Sequence, residues 1–144
     1  MKKLAALAAL LVFGAVLTAG TPSGWTDNFA KAQQLAKEEN RPMLVLFTGS
    51  DWCGWCIRLR KDVLSKSEFK KFAADRKLVL VYIDFPRKAK IPAETKKRNR
   101  QLAAQYEVKG YPTTILFGPD GKELGRMPGY SAQYIEALTQ MLAK

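Results

Sequence analysis

The chain has 144 residues, 47% of them apolar, and a formal charge of +11 from 24 Lys and Arg against 13 Asp and Glu. That length suits one domain with a core of its own, and the apolar share excludes a disordered chain. Histidine is absent and there are two cysteines, which excludes Cys–His and Ser–His nucleophile systems, histidine metal sites and a four-thiolate zinc site within one chain.

Lys2 and Lys3, the uncharged run Leu4 to Ala19 and the small residues Thr18-Ala19-Gly20 form a secretory signal pattern. Residues 1–20 are read as the signal peptide, 21–25 as a linker and 26–144 as the domain. The apolar run is short for a bilayer-spanning helix of ~20 residues, so an uncleaved membrane anchor is the alternative. Either way the domain is expected to be periplasmic or otherwise exported, where disulfides form and persist. Loss of Lys2 and Lys3 lowers the charge from +11 to +9, an excess that reads mainly as a solvated surface.

Thr26 or Asp27 is placed to cap a helix running to about Glu39, with Phe29, Ala32, Leu35 and Ala36 on its apolar face. Asn40-Arg41-Pro42 stops it. Met43 to Phe47 is a continuous apolar run, as in a central strand covered on both faces. Thr48 to Asp51 turns the chain, and a helix begins near Cys53, with Ile57, Leu59, Val63 and Leu64 as its apolar positions. Ser65 and Glu68 have capping-box spacing, predicting a break and a restart through Phe69 and Phe72. Leu78 to Ile83 is a second buried strand.

The basic segment Arg87 to Arg100 reads as an exposed loop leading into a helix over about Ala93–Tyr106. It lacks interleaved aromatic residues, so no nucleic-acid partner is expected. Thr113 to Phe117 is a third strand, Gly118-Pro119-Asp120-Gly121 a hairpin turn, and Lys122 to Met127 a fourth strand ended by Pro128 and Gly129. Ser131 is placed to cap a final helix, with Ile135, Leu138 and Leu142 on one face. Alternation followed by a hairpin implies an α/β fold, a central mixed sheet of four or five strands with helices on both faces.

The chemistry concentrates at Cys53-Gly54-Trp55-Cys56, the only cysteines, two residues apart after a strand. A C-x-x-C pair in that setting reads as a dithiol/disulfide redox motif. A helix N-terminus lowers a thiol's pKa, so Cys53 is expected to be the exposed nucleophile and Cys56, one turn in, the more buried resolving thiol. Trp52 precedes the pair and Trp55 lies within it, as packing residues or as part of a partner-facing surface. Copper handling by the dithiol is disfavoured by the lack of histidine and of a Met-rich tract. No metal and no cofactor is expected.

The run Phe47-Thr48-Gly49-Ser50-Asp51-Trp52-Cys53-Gly54-Trp55-Cys56, with Gly110-Tyr111-Pro112-Thr113 before the hairpin, resembles the thioredoxin superfamily across about Trp25 to Ala143. In finer detail it resembles exported bacterial thioredoxin-like proteins, among them those similar to the C-terminal domain of DsbD. The resemblance implies a thioredoxin fold and thiol–disulfide oxidoreductase activity. It also implies Pro112 as a cis-proline beside the cysteines, and a substrate-binding face of Trp52, Gly54, Trp55, Tyr111 and Pro112. The expected partners are protein disulfide substrates and a membrane or soluble redox partner, with the protein itself a monomer. Reductase is the leading direction; oxidase, isomerase or a non-catalytic adaptor are the alternatives. The sequence departs from cytoplasmic thioredoxins in having no acid–lysine pair within Leu44 to Phe47 and Leu78 to Val81. That leaves the acceptor of the Cys56 proton open, with Asp51 and Glu107 as candidates.

Overall fold

A computed structural model describes residues 20–144, so the signal-peptide reading, residue 20 apart, lies outside the described residues. The elements are α1 (Phe29–Glu38), β1 (Met43–Thr48), α2 (Gly54–Leu59), a π-helical turn (Arg60–Leu64), α3 (Ser67–Asp75), β2 (Val79–Asp84), α4 (Ala93–Gln105), β3 (Thr113–Phe117), β4 (Glu123–Pro128) and α5 (Tyr134–Leu142). This is the expected order. The sheet has four strands in the order β2-β1-β3-β4. β1 pairs with β2 in parallel and with β3 antiparallel, and β3 pairs antiparallel with β4.

Strand β1 is buried along its whole length, as its unbroken apolar run requires, and its alternate side chains enter two separate cores. Met43, Val45 and Phe47 pack with Phe29, Ala32 and Ala36 of α1 and Leu102 of α4. Leu44 and Leu46 pack with Leu59, Leu64, Phe69 and Ala73 on the α2–α3 side and with Tyr134 and Leu138 of α5. Helices therefore cover both faces of the sheet.

Parallel pairing brings Thr48 at the end of β1 opposite Asp84 at the end of β2. Antiparallel pairing brings Phe47 opposite Thr113 at the start of β3. The end of the first strand, the end of the second and the residues leading into the third therefore converge at one edge of the sheet. This edge carries the cysteine motif.

Several local expectations are corrected. Thr26 does not cap α1; it bridges to Val81, donating its N–H to Leu80 O at 2.9 Å and accepting that of Tyr82 at 2.8 Å. Asn28 caps the helix instead, its side chain accepting from Lys31 N. Leu35, expected on the apolar face, is exposed. Trp25, assigned to the linker, stacks on Phe69 with centroids 6.2 Å apart and meets Tyr82 edge-on. The break before α3 occurs, but without a capping box: Lys66 is the cap residue and Ser65 Oγ bonds back to Lys61 O. Ser131 Oγ accepts from Gln133 N in the turn before α5 rather than capping the helix, whose cap residue is Gln133. Helices α1, α3 and α4 each close through a left-handed residue, Asn40, Lys77 and Glu107, a common way to end a helix. No described helix is long and apolar enough to cross a membrane.

Candidate active site

Cys53 is the N-cap residue of α2, with an extended backbone. It is joined by a disulfide to Cys56, with their Cα atoms 5.2 Å apart. A helical turn starting at Cys53 brings the two sulfurs together, and the unpaired amides at a helix start point at whatever lies there. Here the Cys56 N–H, in the first turn of α2, points at Cys53 Sγ at 3.3 Å, and the Gly49 N–H, from the turn after β1, points at Cys56 Sγ at 3.4 Å. Cys53 Sγ also lies 3.6 Å from the carbonyl oxygen of Tyr111. Cys53 is less exposed than expected, at 7% against 4% for Cys56, though it remains the more open of the two.

The Tyr111–Pro112 bond is cis, as the resemblance implied, and Pro112 is buried where the chain enters β3. Gly54 is exposed, with open space where a side chain would project. Trp55 is 55% exposed, and Ile57, expected among the apolar positions of this helix, is exposed as well. Trp55 stacks on Tyr130 at 5.7 Å, and the Arg58 guanidinium lies 5.4 Å from one ring and 5.3 Å from the other. Trp52 is fixed more firmly. Its Nε1 donates to Phe85 O at 2.7 Å, its ring meets Tyr111 edge-on at 6.0 Å, and the Arg87 guanidinium sits 3.6 Å above it.

The structure gives the two carboxylates raised as proton acceptors other work. Asp51 Oδ1 accepts from Arg87 N at 2.9 Å, and its Oδ2 accepts from Lys88 N and Ala89 N, each at 2.8 Å. The Arg87 and Ala89 amides, followed by that of Lys88, hold its pKa below the ordinary value, which makes it a poor base. Glu107 occupies the turn after α4, and the charge of Arg126, held chiefly by its hydrogen bond to Glu123, is favoured by Glu107 to a smaller degree. Neither carboxylate bonds to a cysteine among the described residues.

Asp84 is the residue that sequence reasoning missed. Its carboxylate accepts from both Ser50 N, at 3.0 Å, and Ser50 Oγ. Its own carbonyl accepts from the buried Asn99 Nδ2 at 2.8 Å. It thus ties the turn before the motif to β2 and α4. The available signal was its place at the carboxyl end of a parallel strand, where α/β sheets assemble their sites.

The family model described as a thioredoxin-like domain matches residues 29–144. A relative from Chlamydia pneumoniae, the disulfide bond reductase DsbH, is 40% identical over 119 residues, 81% of this chain and 71% of the relative. A solved structure described as a DsbH oxidoreductase superposes with a TM-score of 0.73 at 36% identity, covering 90% of this chain and 94% of that one. The oxidised C-terminal domain of Neisseria meningitidis DsbD shares the fold, with a TM-score of 0.59 at 18% identity over 77% of this chain and 90% of that one. The chain belongs to the thioredoxin-like family. With its C-x-x-C pair bonded at the start of α2, it is a thiol–disulfide oxidoreductase.

Proposed function

We propose that the protein is an exported reductase of protein disulfides, acting as a monomer through Cys53 and Cys56. The observation that carries this reading is the bonded pair at the opening of α2, with a main-chain amide on each sulfur and the Tyr111 carbonyl beside Cys53. The Cys53 thiolate attacks one sulfur of a client disulfide and expels the other as a thiolate, leaving a mixed disulfide on Cys53. The Cys56 thiolate then attacks Cys53 Sγ, expels the second client thiolate and closes the Cys53–Cys56 bond. The client gains two electrons, which a dithiol redox partner, in the membrane or soluble, returns to the pair. The Gly49 N–H lies against Cys56 Sγ, and the Cys56 proton passes to water.

In this reading the client strand lies along Tyr111-Pro112, with Trp52, Gly54 and Trp55 forming the surrounding contact face. The reductive direction is supported by the name of the 40%-identical relative and by the Gly54-Trp55 dipeptide, which lacks the histidine of strongly oxidising relatives. Export rests on the N-terminal sequence pattern.

Insulin reduction with an external dithiol tests the activity. Wild type is expected to precipitate the insulin B chain, Cys53→Ser to be inactive and Cys56→Ser to accumulate the mixed disulfide. Inactive wild type would refute the reading. The potential tests direction: a value near that of thioredoxin, ~ −270 mV, supports a reductase, whereas one near ~ −120 mV overturns it.

A further inference from the structure

The basic segment 87–100 carries seven Lys and Arg against one Glu. Of those seven cations only Arg98 makes an ion pair among the described residues, with Asp27 at 3.6 Å. The start of this segment is not a free loop. The three amides of Arg87, Lys88 and Ala89 are gathered onto Asp51, two residues before Cys53. The carbonyl of Phe85 is held by the Trp52 indole, and the Arg87 guanidinium lies 3.6 Å over that indole. Main-chain bonding engages both Asp51 oxygens without cancelling their charge, and the exposed side chains of Arg87, Lys88 and Lys90 outnumber that one carboxylate. On the other flank of the motif, Arg58 covers Trp55 and Tyr130. The nearby Asp84 carboxylate is likewise occupied, by Ser50.

We propose that Arg87, Lys88 and Lys90 form a client-selecting rim of the redox site, and that the preferred substrates are proteins whose reducible disulfide is flanked by Asp or Glu. This rests on the reductase reading above. The charge is fastened to the residues preceding Cys53, so a client carboxylate beside the scissile disulfide meets the rim as Cys53 reaches its sulfur. Opposed charge of this kind raises association rates and falls away with salt. A lipid surface fits less well, because binding there would turn Cys53 toward the bilayer and away from protein clients. The chemistry is unchanged: Cys53 displaces one client thiolate, Cys56 the second, and the electron pair passes from the dithiol to the client.

The test uses two cyclic peptides, each closed by one disulfide and identical except for Glu or Lys on either side of one cysteine. Each rate with the reduced protein is divided by the rate of the same peptide with dithiothreitol, which removes the flanking charges' own effect on the disulfide. The Glu peptide is expected to react about tenfold faster at low ionic strength. The preference should fade toward unity at roughly 0.5 M salt, and Lys88→Glu/Lys90→Glu should reverse it. Because the readout is a ratio, a variant with less folded protein still reports it. A ratio near one at low salt, with insulin still reduced, would overturn the rim while leaving the reductase intact; failure on both peptides and on insulin would overturn the reductase itself. A ratio of one combined with sedimentation on phosphatidylglycerol vesicles, lost in the double variant, would assign the rim to anionic lipid and overturn the proposal.

Discussion

Adding one methyl group at Gly49 tests the packing behind the disulfide. A Cβ built at Gly49 falls 2.5 Å from Trp52 Cε2, 2.6 Å from Nε1 and 2.7 Å from Cζ2, well inside the ~3.5–4.0 Å at which carbon atoms rest. The indole has little freedom to yield, since its Nε1 is bonded to Phe85 O and Arg87 covers its face. The backbone is equally constrained. Gly49 N–H points at Cys56 Sγ and Gly49 O accepts from Cys53 N at 3.0 Å. Overpacking costs about 1–3 kcal/mol, and displacing the indole from its carbonyl adds about 1 kcal/mol. Gly49→Ala is therefore expected to destabilise the oxidised protein by about 2–4 kcal/mol, lowering Tm by roughly 5–15 °C for a chain of this size. Thermal unfolding by circular dichroism measures this, and the same change in a Trp52→Leu background isolates the contact. There the methyl finds room, giving a coupling of at least about 1 kcal/mol. An equal penalty in both backgrounds, or a loss under about 2 °C in the first, would refute the clash.

Other expectations follow from the same geometry. Thr114 and Tyr134 share a buried hydroxyl–hydroxyl bond of 2.8 Å, so Thr114→Val should cost about 1–3 kcal/mol by orphaning the phenol. Adding Tyr134→Phe should recover most of that loss, as measured by urea unfolding. Asp51 has a lowered pKa, so its hold on residues 87–89 is fully present above the ordinary carboxylate value of 3.8 and is lost as pH falls through its lower folded value. Hydrogen exchange should show those amides protected at neutral pH in wild type and released in Asp51→Asn. Trp55→Ala should slow reduction of insulin about fivefold or more, as truncation of an aromatic contact does, with a smaller effect on a linear small-molecule disulfide.

The element order, the buried central strand and the hairpin were legible because each rests on a local signal: apolar periodicity, a proline, or a Gly-Pro-Asp-Gly turn. The disulfide pair was legible because its chemistry lies within four residues. What could not be read were contacts that depend on how the folded elements meet. Thr26 has the look of a helix cap, yet the edge of β2 offers its backbone better partners. Ser65 and Glu68 have capping-box spacing, but the π-helical turn before them sends the serine hydroxyl back to Lys61. Asp84 and the 87–89 turn lie far along the chain from the cysteines, and only the parallel pairing of β1 with β2 brings them to the motif. For the same reason Asp51 looked like a free carboxylate, when a distant turn saturates it.

The two amides aimed at sulfur, Gly49 N–H and Cys56 N–H, belong to the main chain. No side-chain replacement deletes a peptide N–H except one to proline, so these two donors are set by chain direction and persist through changes in the side chains around them. Substitutions at Arg87, Lys88 and Lys90 leave both amides where they are. Ordinary side-chain engineering around the motif therefore acts on top of two fixed donors rather than in place of them.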